Sequence, residues 1–257
     1  MGTILNGLAL CGLRPYGASF LIFSDYMKPP IRLASMMRLP AIYVFTHDSI
    51  GLGEDGPTHQ PVEQLTQLRA TPGLVTIRPC DANEVREAWR AAILSARPVA
   101  LILSRQNLPT LDRNSYAPAA GLARGAYILA GAGNTEPDVI LIGTGSEISL
   151  CVQAHEELNR RKIKSRVVSM PSFELFEEQE LAYREMVLPP AVHSRVSVEA
   201  GAVIGWDRYV GEGGARIGMQ SYGASAPYTE LYKHFGFTVE HVVAAAEAQI
   251  HKHAARQ

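Results

Sequence analysis

The fold is decided by Val75-Thr-Ile-Arg-Pro-Cys-Asp-Ala-Asn-Glu-Val-Arg-Glu-Ala-Trp-Arg-Ala-Ala-Ile-Leu-Ser-Ala-Arg-Pro-Val-Ala-Leu-Ile-Leu-Ser104. Its two ends are short apolar runs, which predict strands at residues 75–78 and 99–104. Between them, Asp81-Ala-Asn-Glu84 has the pattern of a capping box, which starts a helix. The apolar residues that follow recur at helical spacing: Val85, Ala88, Trp89, Ala92 and Ile93. A strand, a helix and a second strand in this order are typical of a βαβ unit with parallel strands.

The same alternation extends over the rest of the chain. Strands are also predicted at residues 19–23, 41–46, 138–142, 166–170 and 195–199, with a helix ending near Lys162 and a last helix starting at Thr238. This pattern predicts an α/β fold with two doubly wound domains, each built on a mostly parallel sheet. We place the first domain at residues 1–108 and the second at residues 123–257. Residues 109–122, rich in proline and turn formers, are the predicted linker.

Composition excludes several classes of protein. Hydrophobic residues make up 47% of the chain and charged residues 19%, which favours folded cores over disorder. The net charge is −1, so no strong field attracts nucleic acid or an anionic membrane. No apolar run is long enough for a membrane span, and residues 1–11 predict a helix rather than a secretion signal. The three cysteines match neither a disulfide framework nor a CxxC zinc pair, so we expect a cytoplasmic protein.

The loop after the second strand carries the most chemistry. It reads Thr46-His-Asp-Ser-Ile-Gly-Leu-Gly-Glu-Asp-Gly-Pro-Thr-His-Gln-Pro61. Its glycines permit tight turns that can bring His47, Asp55 and His59 to one side of a cleft. The imidazoles titrate near neutral pH, which suits proton transfer. One alternative is a solvated turn without function. A second alternative is a zinc site made by these three side chains, although their spacing matches no common zinc motif.

Two further stretches carry candidate binding residues. Ser104-Arg-Gln-Asn-Leu-Pro109 places Arg105 at the end of a strand, where its guanidinium can bind a phosphate or carboxylate with two parallel hydrogen bonds. An ordinary ion pair is the alternative for this arginine. Phe20, Phe23 and Tyr26 are either core residues or a slot for a flat heterocycle at a strand end.

Together these motifs resemble the transketolase family, which uses thiamine diphosphate to transfer two-carbon ketol units between sugar phosphates. The resemblance rests on the loop at residues 46–63, on Phe20-Leu-Ile-Phe-Ser-Asp-Tyr26, Arg78-Pro-Cys-Asp81 and Ser104-Arg-Gln-Asn-Leu-Pro109 in the first half, and on Ile142-Gly-Thr-Gly-Ser-Glu147, Val168-Ser-Met-Pro171, Val198-Glu-Ala-Gly201 and Phe235-Gly-Phe237 in the second. It implies an incomplete pyrimidine-binding domain followed by the family's C-terminal domain.

The resemblance also implies roles for the candidate residues. Phe20, Phe23 and Tyr26 would line the pocket of the cofactor's aminopyrimidine, with Phe23 stacked on the ring. His47 and Arg105 would bind the phosphate of the sugar, and Asp55 would bind a sugar hydroxyl. His59 would lie against the cofactor and transfer protons, so that His59 and His47 are the implied catalytic residues.

Other parts of the family's site have no match in this sequence. The family binds the diphosphate and its Mg²⁺ or Ca²⁺ in an N-terminal domain, so we expect no metal on this chain. The activating glutamate of the pyrimidine domain would lie a few residues before Met1. We therefore expect the chain alone to be inactive, as a truncated product or as one part of an enzyme completed by a homodimer or by a chain that supplies the diphosphate-binding domain.

Two alternatives remain at this stage. One is a related thiamine diphosphate enzyme, of the 1-deoxyxylulose 5-phosphate synthase type or the formaldehyde transketolase type. The other is a fragment without catalysis that serves dimerisation or regulation.

Overall fold

The computed structural model describes residues 1–131 and 136–254, and it contains two sheets. The first has strand order β1-β2-β4-β3, and all its pairs are parallel. The second has order β5-β7-β6-β8-β9, and in it only β5 is antiparallel to its neighbour. The strands are β1 Tyr16–Phe20, β2 Ile42–Thr46, β3 Val75–Ile77, β4 Val99–Ile102, β5 Tyr127–Ala130, β6 Val139–Gly143, β7 Ser165–Ser169, β8 Arg195–Ala202 and β9 Ala215–Met219. The predicted α/β class with mostly parallel sheets is confirmed.

Helices cover both faces of each sheet. They are α1 Gly2–Leu10, α2 Lys28–Met37, α3 Gln64–Arg69, α4 Ala82–Leu94, α5 Ile148–Arg160, α6 Phe173–Glu177, α7 Leu181–Val187, α8 Asp207–Val210, α9 Tyr228–His234 and α10 Val239–Ala254. Alternate residues of a strand point to opposite faces. Accordingly, Tyr43 and Phe45 of β2 pack in the cluster with α1 and α2, whereas Ile42 and Val44 pack in the cluster with α4. In the described part of the chain, no helix has the length and apolarity needed to cross a membrane.

Helix α4 confirms the capping prediction. The Asp81 carboxylate accepts a hydrogen bond from the backbone N–H of Glu84 at 2.8 Å. The Glu84 carboxylate in turn accepts one from the backbone N–H of Cys80 at 2.8 Å. Both ends of this motif are satisfied, so the helix starts where the sequence predicts.

The first strand was predicted at the wrong place. Residues 19–23 were expected to form it, but β1 is Tyr16–Phe20, and Leu21–Met27 is a 3₁₀ helix. The strand position follows its pairing with β2, in which Tyr16 lies opposite Ile42 and Phe20 opposite Thr46. An apolar run alone does not show where such pairing stops. Strands β5 and β9 were also not predicted.

Candidate active site

The carboxyl ends of β1, β2 and β4, here called the carboxyl edge, gather the predicted site residues. These strands are neighbours in the sheet, and Phe20 at the end of β1 pairs with Thr46 at the end of β2. His47 follows β2 directly, and Arg105 lies just beyond the end of β4. In open α/β sheets, ligands bind outside the carboxyl ends of the strands.

The aromatic residues form a row because they follow a period of three. In a 3₁₀ helix, side chains at positions i and i+3 lie above one another. The ring centroids of Phe20 and Phe23 are 6.0 Å apart with the planes inclined at 15°, and those of Phe23 and Tyr26 are 6.3 Å apart. Phe23 is 37% exposed and Tyr26 is 83% exposed. The ring faces are therefore open, in contrast to core aromatics.

His47 is held at the beginning of this row. Its ring stacks on Phe20, with the centroids 3.7 Å apart and the planes inclined at 27°. The Nδ1 atom shares a hydrogen bond of 2.8 Å with the Thr46 hydroxyl. The backbone of His47 has φ of +60°, in the left-handed region that a non-glycine residue enters at a cost. Its Nε2 atom is the ring nitrogen left for a ligand.

The charges around His47 show that the other candidates lie close to it. Burial lowers the pKa of His47 from its ordinary value of 6.5, and the charges of Arg105 and His59 lower it further. The carboxylates of Asp55 and Asp48 act in the opposite direction on the same pKa. The surroundings of His47 therefore favour its neutral form, whereas Arg105 carries a permanent positive charge.

His59 contacts the middle of the aromatic row. Its ring meets Phe23 edge to face, with the centroids 5.7 Å apart, and its Nδ1 atom shares a hydrogen bond of 2.9 Å with Thr58. Asp55 and Arg105 are exposed. The structure thus brings together the two imidazoles, the carboxylate, the guanidinium and the rings that the sequence singled out.

The zinc alternative finds no support in this geometry. Among residues 1–131 and 136–254, no group of three or more histidine, cysteine, aspartate or glutamate side chains is placed to hold a metal ion. His47, Asp55 and His59 are therefore neighbours without being a preformed zinc site.

The loop that carries both histidines rests on the second half of the chain. The buried Gln60 amide donates hydrogen bonds to the carbonyl oxygens of Gly53 at 2.8 Å and of Ala224 at 2.9 Å. Gly56 has φ of +78°, and a Cβ there would lie 2.1 Å from the Ser225 hydroxyl. A side chain at this position would be strained by the backbone conformation and would have to displace the Ser225 hydroxyl, which explains the glycine.

Beside the carboxyl edge, a buried ionic layer joins the two halves of the chain, and Arg78 is its centre. The Arg78 guanidinium donates to Asp48 from Nε at 2.9 Å and to Glu147 from Nη1 at 2.5 Å. It also donates to the carbonyl oxygen of Thr144 at 2.8 Å and to the Ser146 hydroxyl at 3.2 Å. All three charged side chains have at most 1% of their surface exposed. A buried arginine bound so completely is firmly fixed.

The two carboxyl groups of this layer differ in their surroundings. Burial opposes ionisation of Glu147, but the charge and hydrogen bonds of Arg78 outweigh it and lower its pKa. Burial raises the pKa of Asp48, more than Arg78 lowers it, and the nearby charge of Glu147 raises it as well. Glu147 also has the shorter hydrogen bond with Arg78, 2.5 Å against 2.9 Å for Asp48.

A second buried ion pair also joins the two halves. Arg69 of α3 donates two hydrogen bonds to Glu199 of β8, at 2.9 and 2.7 Å. The Trp206 indole donates to the same carboxylate at 3.0 Å, and the Arg69 guanidinium lies 3.8 Å from the centre of the Phe173 ring.

The sequence did not identify the ionic layer. In the sequence analysis, Arg78 and Glu147 occur only in the motifs that carry the resemblance. In the structure, a 3₁₀ helix, Gly145–Glu147, connects β6 to α5. The available signal was an arginine directly after a buried strand, which needs a buried partner.

Comparisons with known proteins agree with this geometry. Residues 1–110 match the model of the transketolase pyrimidine-binding domain, and residues 125–238 match that of the transketolase-like C-terminal domain. A transketolase of Halalkalibacterium halodurans is 53% identical over 250 residues, which are 96% of this chain and 37% of that protein. This chain therefore spans little more than a third of the length of that relative.

Solved structures give the same result. A transketolase of Pichia stipitis in complex with sedoheptulose 7-phosphate aligns with a TM-score of 0.92 at 39% identity, over 99% of this chain and 37% of its own. A transketolase of Leishmania mexicana aligns with a TM-score of 0.90 at 44% identity, over 97% of this chain and 36% of its own.

Proposed function

Because this chain belongs to the transketolase family, through its pyrimidine-binding and C-terminal domains, we propose that it is part of an enzyme that transfers two-carbon ketol units between sugar phosphates with thiamine diphosphate. One observation carries the proposal. Two histidines contact the same row of open aromatic rings, His47 on Phe20 and His59 on Phe23, at the edge of the sheet where ligands bind.

The aromatic row fits the pyrimidine end of thiamine diphosphate. A flat heterocycle needs an open ring face, and Phe23 and Tyr26 offer such faces while Phe20 and His47 close one end of the row. A stacked pair of rings contributes about 0.5–1.5 kcal/mol beyond the burial of its area. When bound, the cofactor supplies a thiazolium that serves as the electron sink for cleavage of the sugar's carbon–carbon bond.

His59 is the proposed proton carrier. Its Nδ1 atom is engaged with Thr58, so Nε2 is the nitrogen that can donate to or accept from a sugar oxygen. A positioned imidazole of this kind contributes about 10²–10⁴-fold to a rate. Contact with Phe23 keeps the ring beside the proposed pyrimidine position.

The phosphate of the sugar is assigned to Arg105 and His47. The exposed guanidinium of Arg105 supplies the positive charge and two parallel donors. Neutral His47 supplies one hydrogen bond from Nε2 without competing for the proton that His59 transfers. The exposed carboxylate of Asp55 accepts hydrogen bonds from sugar hydroxyls, which sets the orientation of the sugar chain.

The complete reaction is assigned to an assembly rather than to these 257 residues. The chain matches 37% of the length of its relative, and the two domains it matches supply the pyrimidine side of the site. The diphosphate, with Mg²⁺ or Ca²⁺, is assigned to a partner: a second copy or a chain that carries the diphosphate-binding domain. We expect no ketol transfer by the isolated chain.

The three free cysteines are consistent with a cytoplasmic location.

The test is a ketol-transfer assay on the chain assembled with the diphosphate-binding part of a transketolase. We expect His59→Ala to lower kcat by about 10²–10⁴-fold. We expect Arg105→Ala to raise KM for phosphorylated sugars by roughly tenfold or more, because a charged hydrogen-bond partner is lost. His251→Ala and Arg90→Ala, at exposed positions on α10 and α4, are the matched controls and should change neither constant. Normal kcat and KM in both site variants would refute the assignment.

A further inference from the structure

One connection between His47 and the C-terminal domain passes through the side chain of Asp48. Asp48 follows His47 in sequence and is buried, and its carboxylate accepts hydrogen bonds from Arg78 and from Ser49, the latter at 3.2 Å. The orientation of the peptide between His47 and Asp48 is therefore fixed from the Asp48 side by Arg78.

His47 needs this support because its conformation is strained. A non-glycine residue with φ near +60° is less stable there than in the right-handed region, because its Cβ comes too close to the carbonyl oxygen. Such a residue persists only where its surroundings hold it. The hydrogen bond to Thr46 and the stacking on Phe20 hold the ring, and the bond from Arg78 to Asp48 holds the backbone that follows.

Arg78 is in turn held by Glu147, which belongs to the C-terminal domain. The Glu147 carboxylate accepts hydrogen bonds from Ser146 at 2.7 Å, from Tyr232 at 2.8 Å and from the backbone N–H of Ala200 at 3.0 Å. These partners fix it independently of the first domain. The order of dependence therefore runs from Glu147 through Arg78 and Asp48 to His47.

We propose that Glu147 and Arg78 are positioning residues that hold the His47 imidazole on Phe20 by fixing Asp48, so that the C-terminal domain sets the geometry of the sugar-phosphate site. The positioning itself is a property of the chain alone. Its consequence for ketol transfer rests on the proposed function.

The direct test uses histidine-labelled 257-residue chain and NMR. The stacking distance of 3.7 Å places the His47 ring protons in the ring current of Phe20. We expect Glu147→Gln, which keeps the shape of the side chain, to remove that ring-current shift. Arg78→Lys, which keeps the charge but loses the fork of donors, should do the same and serves as the second variant if the first is unstable.

The matched control is Glu199→Gln, which breaks the other buried ion pair between the two domains, that with Arg69. It should lower the midpoint of thermal unfolding but leave the His47 signal in place. An unmoved His47 signal in folded Glu147→Gln or Arg78→Lys would overturn the proposal. A movement of equal size in Glu199→Gln would also overturn it, because the layer would then only hold the domains together.

A second arm measures kinetics in the assembled enzyme. Glu147→Gln should raise KM for a phosphorylated sugar by roughly tenfold to a hundredfold and change KM for its unphosphorylated analogue far less, because the proposed function assigns His47 to the phosphate. If the unmodified assembly transfers no ketol group, the proposed function fails, while the NMR result still decides the positioning. If transfer occurs and both KM values rise equally, the positioning of a phosphate site is refuted.

Discussion

The carboxyl edge and the buried ionic layer beside it differ in exposure and in how far their polar groups are bound within the protein. At the edge, Phe23, Tyr26, Asp55 and Arg105 are exposed, and the two histidines each retain a ring nitrogen for a ligand. In the layer, Arg78 is bound on every side by carboxylates, a carbonyl and a hydroxyl. The candidate binding groups are open to a ligand, whereas the guanidinium of Arg78 is bound within the protein. Mutations in the layer should therefore affect stability first and ligands only through the position of His47, whereas mutations at the edge should affect ligands directly.

The largest effect is expected from Arg78→Met. Removal of the guanidinium leaves Asp48 and Glu147 as uncompensated buried carboxyl groups, which should cost about 3–5 kcal/mol of unfolding free energy. The measurement is urea denaturation followed by circular dichroism. Arg90→Met is the control, because this arginine is 72% exposed and its pair with Glu87 spans 3.8 Å; it should cost less than about 1 kcal/mol. Equal losses of unfolding free energy in the two variants would show that the layer contributes no more to stability than a surface ion pair.

The next prediction compares a phenylalanine of the core with one of the aromatic row. Phe45 has no exposed surface, and Phe45→Ala should cost about 3–5 kcal/mol. Phe23 is 37% exposed, and Phe23→Ala should cost about 1–2 kcal/mol because much of its ring already faces water. Denaturation curves of both variants give the difference. If Phe23→Ala is as damaging as Phe45→Ala, the aromatic row belongs to the core and is not an open binding face.

A smaller loss is expected from Gly145→Ala. The residue has φ of +56°, and a Cβ there would lie 2.6 Å from the Arg78 guanidinium. Strain and displacement of Arg78 should cost about 1–3 kcal/mol. Gly7→Ala in α1 is the control: nothing lies within 4 Å of its added Cβ, and the helix should gain about 0.5–1 kcal/mol. Thermal unfolding midpoints should therefore move in opposite directions.

How far the sequence predicts this molecule depends on the distance between the residues that interact. Helix α4 could be predicted, because its cap and its apolar spacing are local. Strand β1 was misplaced by three residues, because its limits depend on pairing with β2. With the strand misplaced, the sequence does not explain why the aromatic rings recur every three residues. In the structure this spacing follows from the 3₁₀ helix after the strand.

The same distinction applies to the site. His47, His59, Asp55 and Arg105 could be selected because polar residues after buried strands meet at one edge. The bond between Arg78 and Glu147 joins residues 69 positions apart in two domains. Arg78 after a buried strand indicates that it needs a buried partner, but which residue that partner is depends on how the two domains pack.

The smallest expected effect is on the titration of His47, and it tests whether the edge residues are neighbours. Arg105→Ala should raise the pKa of His47, because a nearby positive charge that opposes protonation is lost. Asp55→Asn should lower it, because a stabilising negative charge is lost. NMR titration of labelled histidine measures both directions, with Arg90→Ala as the control. If neither variant changes the pKa of His47, Arg105 and Asp55 do not lie close enough to His47 to affect its charge.

A crystal structure of this chain assembled with the diphosphate-binding part of a transketolase and thiamine diphosphate shows whether the aromatic row binds the cofactor. We expect the aminopyrimidine ring on the face of Phe23, with His59 beside it and the sugar-phosphate side open toward Arg105. A cofactor that lies away from Phe23 and His59 in that structure would refute the proposed site.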